Sequence, residues 1–191
     1  MALDLMKNAR DAIFRYEKMQ APKRQTRFTY RDGPMVFLGQ QIVKAMQDAG
    51  YPAMIAETYV SPITQNIRYV TGKSPHKAWN SPYQFLEAVS IMHPSKFKDV
   101  SDEYWETLSA CVHIVSNRFN VELIAGVDSH ADPSHIERRD WTHTRDDIFQ
   151  KTNGEMRPPT PVELWALFLE ILPTQAKAHM RSMAYEPPNV G

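Results

Sequence analysis

Asp132-Pro133-Ser134-His135-Ile136-Glu137 sets a carboxylate three residues before an imidazole and a second carboxylate two residues after it. A short turn brings Asp132 and His135 together in such a run. That is the grouping a zinc hydrolase needs: neutral imidazoles on the metal and a carboxylate that takes a proton from metal-bound water. His135 thereby stands apart from other histidines of the chain. His113 falls inside a predicted helix beside Val112 and Ile114, and His143 and His179 have no acidic partner at ligand spacing, so surface positions are expected for them.

Upstream of this run lies the strongest helix signal, from Asp102 to Phe119. Ser101 is its expected N-cap, Asp102 and Glu103 favour its positive end, and Tyr104, Leu108, Cys111, Val112 and Val115 recur on one face. Asn120 ends it, and Val121 to Ile124 read as a strand. Further back, Ala53–Ala56 and the stretch holding Phe85, Leu86, Ala88, Val89 and Ile91 read as strands. Residues 63–71 form a short predicted helix closed by Gly72. A helix with Leu38, Ile42, Ala45, Met46 and Ala49 on one face precedes them and stops at Gly50 and Pro52.

Both ends extend this pattern. Leu5, Ala9, Ala12, Ile13 and Tyr16 predict a helix over 3–19, and the polar, basic residues 20–34 read as a linker. Thr160-Pro161-Val162-Glu163 is a capping box opening a helix with Leu164, Leu167, Phe168 and Ile171 inward, halted by Pro173. A last helix runs from Thr174 to about Met183, and the tail 187–191 frays. The expected architecture is α+β: a small antiparallel sheet with flanking helices, plus N- and C-terminal helical extensions. The parts are an N-terminal helix and basic linker over 1–35, a core over 36–141 and a C-terminal extension over 142–191.

The order of short motifs from Gly50 onward gives this core a family resemblance. Gly50-Tyr51 is followed by Thr58-Tyr59-Val60-Ser61-Pro62 and Gln65, then Gly72-Lys73-Ser74-Pro75-His76, and finally Asp132-x-x-His135-x-Glu137. The series resembles the zinc peptidases that include D-alanyl-D-alanine carboxypeptidases, vancomycin-resistance dipeptidases and phage L-alanyl-D-glutamate endolysins. Their pattern is a G-Y-R-S turn, a Gln, G-x-S-x-H-x-x-G-x-A-x-D and, much later, D-x-P-H-x-E. The resemblance covers about residues 36–141. It implies His76 and His135 as zinc ligands, Asp132 as general base, Glu137 as the acid closing the last motif, and Gln65 and Ser74 as structural flanks.

Departures from the pattern mark this chain as a degenerate member. The second ligand, an Asp seven residues after the first His, falls on Tyr83, and a phenol with an ordinary pKa near 10 is a poor substitute. The Arg that stabilises the transition state falls on Val60, and the Gly and Ala between the ligands fall on Trp79 and Ser81. Glu87, His93 or His130 are the candidate substitutes for the missing ligand. Zinc is then the cofactor if the site is active, and none otherwise. The two losses, at Tyr83 and Val60, point to a scaffold without catalysis, and the resemblance to the endolysin branch implies a phage-type structural or accessory protein, at the virion or its tail. Its alternatives are an active zinc endopeptidase cutting peptidoglycan stem peptides and a non-catalytic peptidoglycan-binding module. Partners would be other virion or tail proteins, through the terminal helices, or a peptidoglycan peptide in the cleft.

Composition excludes several other classes. Lys plus Arg equals Asp plus Glu at 22 each, so no global field recruits nucleic acid or anionic membrane. Lys23, Arg24, Arg27 and Arg31 form a local basic cluster better suited to a solvated linker or protein contact. No run of 18 apolar residues spans a bilayer. Asp4, Lys7 and Arg10 stand where a signal peptide needs an apolar stretch, so the chain is expected in the cytoplasm of the producing cell or assembled into a virion. Cys111 is the single cysteine, expected as a buried, inert thiol.

Overall fold

A computed structural model describes residues 33–129 and 132–182. The predicted helix over 3–19, the basic linker to residue 32, His130 and the tail lie outside the described residues. The elements run α1 (Pro34–Asp48), β1 (Met54–Glu57), α2 (Pro62–Val70), a 3-10 turn (Pro82–Phe85), β2 (Ala88–Met92), α3 (Asp102–Phe119), β3 (Leu123–Ala125), β4 (His135–Arg138), α4 (Trp141–Lys151), α5 (Pro161–Ile171) and α6 (Thr174–Ser182). The class is α+β. Four strands make one antiparallel sheet in the order β1-β2-β4-β3.

Apolar periodicity accounts for most of this. Leu38, Ile42 and Met46 on α1 and Leu108, Cys111, Val112 and Val115 on α3 are buried together against Val89, Ile91 and Ile136 of the sheet. The left-handed conformation of Asn120, φ 52°, closes α3, as a short polar side chain tolerates best. Ser101 holds the N-cap position of α3 without a side-chain bond. On α5 the capping box is complete, with Thr160 and Glu163 each serving the other's backbone.

The structure departs from expectation in four places. Residues 135–138, for which no element was expected, form the strand β4, because Ile136 buries while its neighbours face the other way. The start of the expected C-terminal extension, where no helix was expected, holds α4, which buries Thr144 and Ile148. The C-terminal helices, expected as extensions, contribute to the core itself: Trp165, Phe168, Leu172, Ala176 and Met180 belong to the cluster formed by α1 and α3. Ile171, expected inward, is exposed, and Leu172 takes the inward place.

Strand alternation then sorts the side chains of β2 and β4. Ala88, Ser90, His135 and Glu137 share one face, paired as Ala88 with Glu137 and Ser90 with His135. Val89, Ile91 and Ile136 face the helices. A register shift between Ile55 and Glu57 on β1 sets Glu57 opposite Ser90.

Candidate functional site

The face holding Ser90, His135 and Glu137 floors a cleft of about 300 Å³. Its walls include Glu57, Gln65, Arg68, Lys73, Ser74, His76, Tyr83 and Asp132. His76 and His135, 59 positions apart in the chain, therefore meet at one cleft. Gln65, buried on α2, donates to the Ser74 hydroxyl at 2.8 Å and to the His76 carbonyl at 2.6 Å. Ser74 in turn accepts from the His76 amide at 3.2 Å. The loop that carries His76 is thus held through its backbone, and the imidazole stays exposed.

At the floor, a hydrogen-bonded chain runs Ser90–Tyr83–His135–Glu137. The His135 ring lies 2.8 Å by Nε2 from a Glu137 oxygen and 3.0 Å by Nδ1 from the Tyr83 hydroxyl, which is 2.5 Å from Ser90 Oγ. An ionised carboxylate only accepts, so in the neutral imidazole Nε2 carries the proton and donates to Glu137. Nδ1 must then accept from the Tyr83 O–H, and the phenol oxygen accepts from Ser90. Burial pushes the Tyr83 phenol well above its ordinary 10, against the lowering effect of the Ser90 bond. Tyr83 therefore holds its proton and serves as a donor.

Tyr83 also packs with Val60 and Ala88 in a small apolar cluster separate from the main core. The two departures from the peptidase pattern, Val60 and Tyr83, are in this way one packing unit. An arginine at 60 would point a charge into the space the phenol ring needs. Trp79, at the glycine position of the pattern, has φ 61°, the left-handed conformation glycine favours. Its ring lies 6.1 Å from that of Phe85, tilted against it.

Asp132 lines the cleft and forms an ion pair with Lys98. Its Oδ1 accepts from the Ser134 amide and hydroxyl at 3.1 and 2.8 Å. Partial burial raises the Asp132 carboxyl, but the Lys98 and Ser134 bonds outweigh it and hold it below its ordinary value. Such a carboxylate is a weaker proton acceptor than a free one. The turn is tight: a Cβ at Gly126 would come within 1.8 Å of the Asp132 carbonyl oxygen.

Of the candidate substitute ligands, Glu87 and His93 do not line this cleft, whereas Asp132, which could also serve as a ligand, does. Glu87 sits on the helix-facing side of β2, where Arg138 binds it through two 2.8 Å bonds and Thr144 donates to it at 2.6 Å. His93 forms an isolated bridge with Phe97, and its Nδ1 accepts from the Ser95 and Lys96 amides, both at 3.1 Å. His130 lies outside the described residues. Among the described residues no three His, Cys, Asp or Glu side chains are grouped to hold a metal. With both His135 nitrogens hydrogen-bonded and a proton-retaining phenol where the resemblance expects the second ligand, the described residues do not present the three protein ligands that a catalytic zinc ion takes.

The sequence reading did not single out Ser90, Glu57, Arg68 or Lys98. Arg68 lies three residues beyond Gln65 on α2, a helical spacing that places both on the cleft side, and Glu57 clamps it at 3.0 and 2.7 Å. Lys98 reaches Asp132 across 34 residues of sequence, with no local pattern to announce it. Cys111 is buried, and burial pushes its thiol up.

No family model and no curated protein matches the chain. Among solved structures it is similar to the Serratia marcescens L-Ala D-Glu endopeptidase ChiX. The identity is 16%, the TM-score 0.48, and the match covers 61% of this chain and 92% of that one. Among the described residues no helix is long and apolar enough to cross a membrane.

Proposed function

We propose that the chain is a non-hydrolytic protein on a peptidoglycan-peptidase type of scaffold, serving as a structural or accessory component of a phage-type particle. The observation that carries the non-hydrolytic reading is the Tyr83–His135 hydrogen bond of 3.0 Å. At the position where the resemblance asks for a carboxylate ligand, a buried phenol keeps its proton and donates a hydrogen bond to the imidazole lone pair. The left-handed backbone at Trp79 and the grip of Gln65 and Ser74 on the His76 loop support the alignment on which this rests. The particle role rests on the resemblance to the endolysin branch, with other virion or tail proteins as partners.

A second reading, a peptide-binding module, is favoured by the cleft itself. Its walls carry Arg68 and Lys73 with Glu57, Asp132 and Glu137, interspersed with serines. That mixture suits the amides, ammonium and carboxylates of a peptidoglycan stem peptide without any bond being broken.

Incubation with labelled peptidoglycan, with and without added zinc, tests both readings. Release of soluble fragments that a chelator abolishes contradicts the non-hydrolytic reading and favours the active endopeptidase. Retention of label without release favours the binding module. Neither retention nor release, together with the chain's presence in purified particles, supports the structural role.

A further inference from the structure

The loop 93–99, between β2 and α3, is capped by one imidazole. Nδ1 of His93 accepts from the Ser95 and Lys96 amides, both at 3.1 Å. Two donors converge only on a lone pair, so Nδ1 carries no proton and the neutral ring keeps its hydrogen on Nε2. Around this cap His93 and Phe97 exchange backbone bonds of 3.3 and 3.0 Å, and the Asp99 amide donates to the Lys96 carbonyl at 2.9 Å. Phe97 has φ 54°, a left-handed conformation that a bulky residue keeps only where its surroundings impose it.

The next residue, Lys98, pairs with Asp132 on the cleft wall. The two side chains are 51% and 45% exposed, and an ion pair so open to water contributes little by itself. The shape of the loop is what keeps the ammonium beside Asp132, and that shape needs an acceptor at Nδ1. A proton added to the neutral ring goes to this same atom. Charged histidine is a donor at both nitrogens, so the two amides would then face an N–H instead of a lone pair.

Several charged and titratable groups lie on the elements around His93. Its ring packs against Tyr104 of α3 at 6.0 Å, and burial pushes that phenol up to about 12, so it stays neutral. The start of α3 also carries Asp102 and Glu103, of which Glu103 accepts from Tyr51 at 2.7 Å. The loop itself carries Lys96, Lys98 and Asp99, and β1 meets the end of β2 through the uncharged Met54. Among the described residues none of these groups forms an ion pair with His93.

We propose that the loop 93–99 is a pH-sensitive latch on the cleft. With His93 uncharged, the loop is closed and holds Lys98 against Asp132; with His93 charged, it opens and frees the Asp132 carboxylate towards the cleft. The closed loop favours the uncharged ring, so closure is complete at high pH and is lost as pH falls through the range in which histidine gains its charge. The latch stands independently of whether the cleft hydrolyses, binds or does neither.

Nuclear magnetic resonance on the full chain, between about pH 7.5 and 5, tests it. Protection of the Ser95 and Lys96 amides, corrected for the intrinsic pH dependence of exchange, should fall about tenfold or more with the loss of both bonds. The Asp132 carboxyl resonance should move with the same midpoint as the His93 ring, since Asp132 itself is held below its ordinary value. His93→Asn sets an amide oxygen the same number of bonds from Cβ as Nδ1, and it accepts without titrating. This variant should stay closed at both ends of the range. His93→Ala should be open at both, with the amides of α3 unchanged as the control for folding. Lys98→Gln should shift the Asp132 signal at pH 7.5 and leave the response of Ser95 and Lys96 intact. Protection that does not change with pH in the unaltered chain overturns the proposal. So does an equal fall in His93→Asn, or an Asp132 signal that ignores the titration of His93.

Discussion

The strands β2 and β4 carry a polar cluster on each face, and the two clusters are built on opposite principles. On the helix side, Glu87 and Arg138 are nearly excluded from water, with side chains 7% and 12% exposed. Every charge there has its partner within the protein, and Thr144 closes the set from α4. On the cleft side, Ser90, Tyr83, His135 and Glu137 form an open chain that ends at solvent. The closed cluster ties α4 to the sheet through Thr144 and spends its charged groups on one another. The open chain has polarity directed along it and sits where a ligand can enter. Strand alternation alone decides which residue joins which, since Glu87 and Arg138 are one position out of phase with Ala88 and Glu137.

Breaking the closed cluster should have the largest effect on stability. Arg138→Ala leaves the Glu87 carboxylate buried without its cation, and the expected loss is about 3–5 kcal/mol by urea unfolding. A loss under about 1 kcal/mol would show that Glu87 is hydrated and that the two faces are alike. Next comes the support of the cleft side. Gly126→Ala drives a methyl into the Asp132 carbonyl, and overpacking of this kind costs about 1–3 kcal/mol. The turn carrying Asp132 and His135 should shift with it, read as displaced amide resonances in residues 132–137.

Tyr83→Phe sharpens the contrast further. It removes one hydroxyl and leaves both His135 Nδ1 and Ser90 Oγ without that partner, for an expected cost of about 1–2 kcal/mol. The imidazole nitrogen resonances should move while the core methyl groups stay in place. The smallest effect lies away from both faces. Arg157 holds the Glu163 carboxyl down to about 2 from its ordinary 4.5, with further help from Thr160. A carboxyl depressed on folding contributes stability above its unfolded value and loses it as pH falls through the folded one. The Tm difference between the unaltered chain and Arg157→Ala should therefore hold above pH 5 and shrink between about pH 4.5 and 2.

Much of the fold was legible in sequence because its helices follow strict apolar spacing. The face of α3 read from Tyr104, Leu108, Cys111, Val112 and Val115 is the face that is buried. The strand β4 was not, since its four residues hold one fully buried side chain and three polar neighbours, two of them partnered by Tyr83 of the 3-10 turn and by Glu87 just before β2. The helix α4 was masked by its polarity, with burial confined to Thr144 and Ile148. In the site, His76, Tyr83, Asp132 and His135 could be named from motif order. That Val60 and Tyr83 touch could not, because 23 residues of sequence separate them and only the fold joins them. The same holds for Glu87, whose sequence neighbourhood places it near the ligands while the pleat turns it to the other face.

Zinc titration of the unaltered chain beside Tyr83→Asp tests the central claim most directly. If the phenol occupies the second ligand position, the unaltered chain should show no saturable zinc site. The variant should then gain one of about one ion per chain, held by the new carboxylate with His76 and His135. Stoichiometric zinc binding by the unaltered chain, with no gain in the variant, would contradict the account.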